Sequence, residues 1–133
     1  VRQTPEVTLP PTINLCEGQS TLLEAPVNQD YTYQWSTGET SAGIQVSTSG
    51  LLSVIVSNGN CFAEDETLIV INPVPQVEFS VSNSCEEVSL TFQNSTTVAG
   101  SAALTYQWNF GDGTLSSQSN PIKSYQNPGT YAV

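Results

Sequence analysis

The chain has 133 residues, with two basic against twelve acidic side chains, no histidine and a net charge of −10. A phosphate backbone or an anionic lipid surface would repel such a chain, which disfavours nucleic-acid binding and adsorption to anionic membranes. Without histidine, the usual general base near neutral pH is missing. Charged residues make up only 11%, against roughly 25% in an average soluble domain, and serine and threonine fill 32 positions instead. A Ser/Thr-rich, lysine-poor, histidine-free chain of this kind reads as exported. The longest apolar run, Leu68-Ile69-Val70-Ile71, is far too short to span a membrane.

Apolar residues nowhere repeat at 3.6 spacing for three turns, whereas alternation and β-rich runs recur. They predict strands near 6–9, 20–25, 31–36, 43–47, 51–57 and 66–72, then near 76–82, 88–93, 104–110, 121–125 and 130–133. Between them stand turn signals that supply Gly or Asn where φ must be positive: Ser57-Asn58-Gly59-Asn60, Gly111-Asp112-Gly113 and Asn127-Pro128-Gly129. The segment Asn72-Pro73-Val74-Pro75 reads as a short, stiff linker, because two prolines in four residues favour an extended connection.

The chain also repeats itself. Thr32-Tyr33-Gln34-Trp35 returns as Thr105-Tyr106-Gln107-Trp108, and Asn14-Leu15-Cys16-Glu17 is echoed by Asn83-Ser84-Cys85-Glu86. Pro5-Glu6-Val7-Thr8-Leu9 matches Pro75-Gln76-Val77-Glu78-Phe79. Matches in the same order mean two related modules in tandem, a repetitive scaffold rather than a one-site enzyme. The boundaries read as 1–5, linker from a preceding module; 6–72, first domain; 73–75, proline linker; 76–133, second domain. Short strands at regular spacing with Gly/Pro turns argue for β-sandwiches. The fold class is therefore all-β, two tandem sandwiches, with the second lacking its last strand. The chain reads as an excerpt of a longer polypeptide, with any targeting segment outside it.

Three cysteines are an odd count for an exported chain. Gly50-Leu51-Leu52-Ser53-Val54 aligns with Gly129-Thr130-Tyr131-Ala132-Val133, so a counterpart of Cys61 would fall beyond residue 133. The repeat thus predicts a Cys16–Cys61 disulfide and an unpaired Cys85. Such a bond would stabilise a small core by roughly 2–4 kcal/mol. The alternative is three free thiols in a reducing compartment. Metal ligation has little to work with, since there is no histidine and no Cys-x-x-Cys.

The second copy resembles the PKD (polycystic kidney disease) domain, an immunoglobulin-like sandwich. The resemblance rests on Tyr106-Gln107-Trp108-Asn109-Phe110-Gly111-Asp112-Gly113-Thr114, then Asn120-Pro121, Tyr125 and Pro128-Gly129-Thr130-Tyr131-Ala132-Val133. The first copy is similar to the degenerate Ig/PKD-like repeats of Bacteroidota cell-surface proteins, through Cys16-Glu17-Gly18-Gln19-Ser20, Tyr33-Gln34-Trp35-Ser36-Thr37-Gly38, Gly50 and Asn58-Gly59-Asn60-Cys61. The resemblance implies giant adhesins and gliding-motility proteins exported by the type IX system, or spacers in secreted proteases and chitinases. In antibody domains the second cysteine sits where Val54 and Val133 stand, so immune-type function does not carry over.

Three features could carry chemistry. Trp35 and Trp108 could be sugar-stacking platforms, but their mid-strand positions read as core. Asp112, in Phe110-Gly111-Asp112-Gly113, could ligate calcium, but reads as an Asx-turn residue, since no Asp-x-Asp-x-Asp-Gly run accompanies it. Glu64-Asp65-Glu66 reads as a solvated run before the last strand of the first copy. No Gly-x-Ser-x-Gly elbow or phosphate loop occurs, and Asn94-Ser95-Thr96 is a chance glycosylation match. The expectation is a non-enzymatic, cofactor-free structural or adhesive segment of a large secreted or cell-surface protein, attached to the outer membrane. Its partners would be neighbouring modules of the same polypeptide, an extracellular glycan or surface ligand, and export machinery. The alternative is an accessory binding or spacer module of a secreted degrading enzyme, presenting Tyr125 and Tyr131.

Overall fold

Strict alternation builds the centre of the first unit. In β5 (Gly50–Ser57), Leu52, Val54 and Val56 are buried while Leu51 and Ile55 face outward, the period-2 pattern of a strand with one face on a core. The computed structural model describes residues 3–82, 89–100 and 102–133. It divides into two units, Val1–Asn72 and Pro73–Val133. Both have the all-β architecture of an immunoglobulin-like sandwich.

The first unit also contains β1 (Thr12–Cys16), β2 (Thr21–Glu24), β3 (Thr32–Trp35), β4 (Gly43–Val46) and β6 (Phe62–Asn72). One sheet has the order β1-β6-β5-β3, with β1 parallel to β6 and the other pairs antiparallel. β2 and β4 pair antiparallel in a second sheet. Leu23, Ile44 and Val46 from the second sheet meet Trp35, Leu52, Val54, Val56 and Ile69 from the first. Each fully buried aliphatic side chain here contributes about 1.5–3 kcal/mol.

The beginning of this unit differs from the sequence reading. Residues 6–9 form no strand, and residues 3–5 are not a free linker. Pro5 is fully buried, the Gln3 carbonyl accepts from Asn58 Nδ2 at 2.7 Å, and the Leu9 amide donates to Asp65 Oδ2 at 2.7 Å. The segment is pinned by side chains rather than by a ladder. The first strand is instead β1, whose Ile13 and Leu15 pack against the core. β6 begins at Phe62, four residues earlier than expected. Glu64-Asp65-Glu66 therefore lies inside the strand, opposite Ile55, Val54 and Ser53. Glu64 and Glu66 are exposed on its outer side, so their charges stay in water.

The second unit has β7 (Phe79–Val81), β8 (Leu90–Asn94), β9 (Trp108–Asn109), β10 (Leu115–Ser116) and β11 (Ile122–Lys123). One sheet has the order β11-β8-β7, and β9 and β10 form a hairpin; all these pairs are antiparallel. The core is aromatic. Phe92, Trp108 and Phe110 are buried. Phe79 meets the edge of Trp108 at 5.0 Å, and Phe92 lies 5.3 Å from Phe110. Strands are shorter than the sequence suggests: 104–110 contributes only β9, 121–125 only β11, and 130–133 none. In the first unit β5 is hydrogen-bonded on both sides, by β3 and β6. Among the described residues neither 130–133 nor 104–107 takes part in a ladder.

Candidate functional site

The two tryptophans occupy equivalent places. Trp35 ends β3 and is 2% exposed; Trp108 begins β9 and is 7% exposed. Each indole N–H donates at 2.8 Å to a carbonyl beyond the following turn, Ser41 for Trp35 and Gln118 for Trp108. A buried indole needs such a partner. Neither ring is available to stack on a sugar.

The turn after Trp108 is built by its own side chains. Asn109 Oδ1 accepts from the Gly111 amide, Asp112 Oδ1 accepts from the Thr114 amide and hydroxyl, and the Phe110 amide donates to the Thr114 carbonyl. Gly111 has φ +75°, a conformation glycine adopts without strain. It also lies against the backbone of Ala132.

Lys123 closes the cluster. Its ammonium pairs with Asp112 Oδ2 at 2.5 Å, and the two side chains are 14% and 23% exposed. The same ammonium stands 5.2 Å from the centroid of Tyr125 and 5.7 Å from that of Phe110, within cation–π range. Hydrogen bonds from Lys123 first, and then from Thr114, hold the Asp112 carboxyl down at about 2. The Tyr125 hydroxyl donates to the Phe110 carbonyl at 2.8 Å, and burial pushes its pKa up. Tyr125 stacks on Tyr131 at 4.0 Å, and the Tyr131 hydroxyl donates to the Asn127 carbonyl. Asn120 Oδ1 accepts from the Asn94 amide, and Pro121 is fully buried with its carbonyl on the Phe92 amide.

The residues Phe110, Gly111, Asp112 and Gly113 therefore assemble with Lys123, Tyr125, Tyr131 and Ala132. Asp112 has Lys123 and Thr114 as its partners, and no group of three or more potential metal ligands occurs among the described residues. Lys123 escaped the sequence reading, although it is the only basic residue after Arg2. That scarcity in a chain of net −10 was the available signal. Asp65, read from the sequence as part of a solvated run, is half-buried instead: its two oxygens accept from the Leu9 and Glu66 amides, which lower its pKa.

The predicted disulfide is corrected. Cys16 and Cys61 are free thiols. Cys16 ends β1 level with Asn72, at one end of β6, and Cys61 precedes Phe62 at the other. Eleven strand residues separate those levels, about 35 Å at ~3.3 Å per residue, against a limit near ~7 Å between Cα atoms. The parallel pairing of β1 with β6 is what sends the two cysteines to opposite ends. Cys85 lies outside the described residues. In the Asn94-Ser95-Thr96 triplet, Asn94 Oδ1 accepts from the Thr96 amide.

An open cleft of about 520 Å³ also occurs in the second unit, bordered by Phe92, Tyr125, Asn127 and Tyr131. No curated protein matches this chain. Residues 72–133, a stretch that includes the whole of the second unit, match the family model of the PKD domain.

Proposed function

We propose that this chain is a non-catalytic structural and adhesive segment of a large secreted or cell-surface multidomain protein, an adhesin or surface filament. The PKD-domain match over 72–133 carries the reading, because such domains are typically non-catalytic modules of larger proteins. The internal use of the polar groups supports it: Asp112 is held by Lys123 and Thr114, and both indoles and both cluster tyrosines donate to carbonyls. In this reading the neighbours are further Ig-like modules of the same polypeptide, and loops at the module ends meet an extracellular glycan or surface ligand. The resemblance to Bacteroidota repeats supports type IX export, contact with the outer-membrane export machinery and a gliding-motility setting. The purified chain should hydrolyse neither chromogenic glycosides nor peptides, and antibodies against it should label intact source cells. Hydrolysis abolished by Asp112→Asn, or labelling only after lysis, would overturn the proposal.

The cleft beside Tyr125 and Tyr131 favours a second reading, an accessory binding module of a secreted polysaccharide- or protein-degrading enzyme. Against it, the two rings stack on each other instead of presenting two separate platforms. Retention of the chain on insoluble chitin, cellulose or collagen, lost on Tyr131→Ala, would establish that reading.

A further inference from the structure

The turn from β5 to β6 holds the single Asn-Gly pair of the sequence, Asn58-Gly59. Asn58 is a polar residue only 5% exposed. Its Oδ1 accepts from the Cys61 amide at 3.0 Å and, at a longer 3.4 Å, from the Asn60 amide. Its Nδ2 donates to the Gln3 carbonyl at 2.7 Å. The Gly59 amide donates to Ser57 Oγ at 3.1 Å. Beyond Gln3, Pro5 is fully buried and the Leu9 amide rests on Asp65. Residues 3–9 are thus held by two polar latches, by the buried side chains of Pro5 and Leu9, and by half-buried Val7 packed on the core.

An asparagine followed by glycine is chemically poised to lose its amide. Glycine has no side chain to block the approach of its nitrogen to the preceding side chain, and its backbone reaches conformations other residues avoid. The Gly59 nitrogen attacks Asn58 Cγ. The new N–Cγ bond forms, the Cγ–Nδ2 bond breaks, and ammonia departs with the proton from the Gly59 nitrogen. One water then opens the cyclic imide at either carbonyl, leaving an aspartyl or isoaspartyl residue at position 58. No oxidant or reductant is involved. In the docked turn each reacting group is engaged elsewhere: the nucleophile on Ser57, the leaving nitrogen on Gln3, the carbonyl oxygen on two amides.

The product reverses the latch. A carboxylate only accepts hydrogen bonds, so it would set an acceptor against the Gln3 carbonyl where a donor stood. Asn58 is buried, so replacing its hydrogen bond to Gln3 by two facing acceptors is destabilising. We infer that Asn58-Gly59 is a latent deamidation site, shielded by the docked segment 3–9, whose conversion releases that segment from the first unit. Docking and chemistry are then coupled: the segment slows the reaction, and the reaction expels the segment.

The test is to age the full chain in mildly alkaline buffer and follow amide-to-acid conversion at position 58 by peptide mapping. Pro5→Asp, which forces a charge into a buried site, should undock the segment and accelerate conversion at least tenfold. Equal rates would overturn the shielding. Slow hydrogen exchange at Val54 and Val56 checks that the variant keeps its core; should it not, Asp65→Ala, which removes the Leu9 latch together with the local bond from the Glu66 amide, takes its place. In Asn58→Asp, and in converted parent chain isolated by anion exchange, the Leu9 amide should exchange at least tenfold faster while Val54 and Val56 stay protected. Unchanged Leu9 exchange would overturn the release, as would loss of protection throughout the unit.

Discussion

The α-carbon of Gly111 lies against the peptide backbone of Ala132: a Cβ built on Gly111 would stand 2.5 Å from the Ala132 carbonyl oxygen and 2.9 Å from its nitrogen. Gly113, two residues on, has a similar positive φ but open space around it. The pair separates backbone strain from packing. Gly113→Ala should cost about 1–2 kcal/mol, the penalty of a left-handed non-glycine residue. Gly111→Ala adds the displacement of Ala132 and should cost roughly 3 kcal/mol or more. Urea denaturation followed by tryptophan fluorescence measures both, and equal costs would contradict the contact.

The Tyr125 hydroxyl is the cross-tie between the end of the second unit and its turn. Tyr125→Phe keeps the ring on Tyr131 and beside Lys123 but removes the donor to Phe110. A loss of about 1 kcal/mol is expected, the net worth of one such bond. The same denaturation experiment reads it, with hydrogen exchange at the Phe110 amide as a local check.

Acid should loosen the second unit through Asp112. Its carboxyl titrates at about 2 in the folded chain, against 3.8 for the ordinary group. A depressed carboxyl stabilises the fold fully above the unfolded value and loses that contribution as pH falls through the folded one. The window therefore runs from about pH 4 down to about pH 2. Lys123→Met removes the main cause of the depression and should flatten the stability profile there. A profile as steep as the parent's would rule out the ion pair as its source.

Thiol chemistry should be open in the native chain. Iodoacetamide, without reductant, should alkylate both Cys16 and Cys61, since both are free and neither is fully buried. The double variant Cys16→Ser, Cys61→Ser should keep its stability within about 0.5 kcal/mol. A Cys16–Cys61 linked peptide in a non-reducing digest would contradict the strand order.

The strands that announce themselves in the sequence are those with one wet face. β5 and β3 were legible because Leu52, Val54 and Val56, or Tyr33 and Trp35, alternate with outward residues. β1 was not, because it follows Pro10-Pro11, a pair that breaks the pattern just before it. The start of β6 was hidden by its own charges, which sit comfortably on an outer strand face. The cysteine pairing failed for a topological reason. A repeat says which positions correspond, but not whether the first strand runs parallel or antiparallel to the last. In the candidate site the turn residues were legible from Phe110 to Gly113, while their partners Lys123 and Ala132 required knowing which loops meet.

The parallel register of β1 and β6 has a mechanical consequence. When the first unit is stretched by its two ends, β1 is drawn backward and β6 forward along the same axis. The five register pairs from Thr12↔Leu68 to Cys16↔Asn72 are then sheared together rather than peeled one at a time. Rupture must break that patch as a whole. In a string of such units under tension, this patch sets the force at which the first unit yields, without any covalent cross-link.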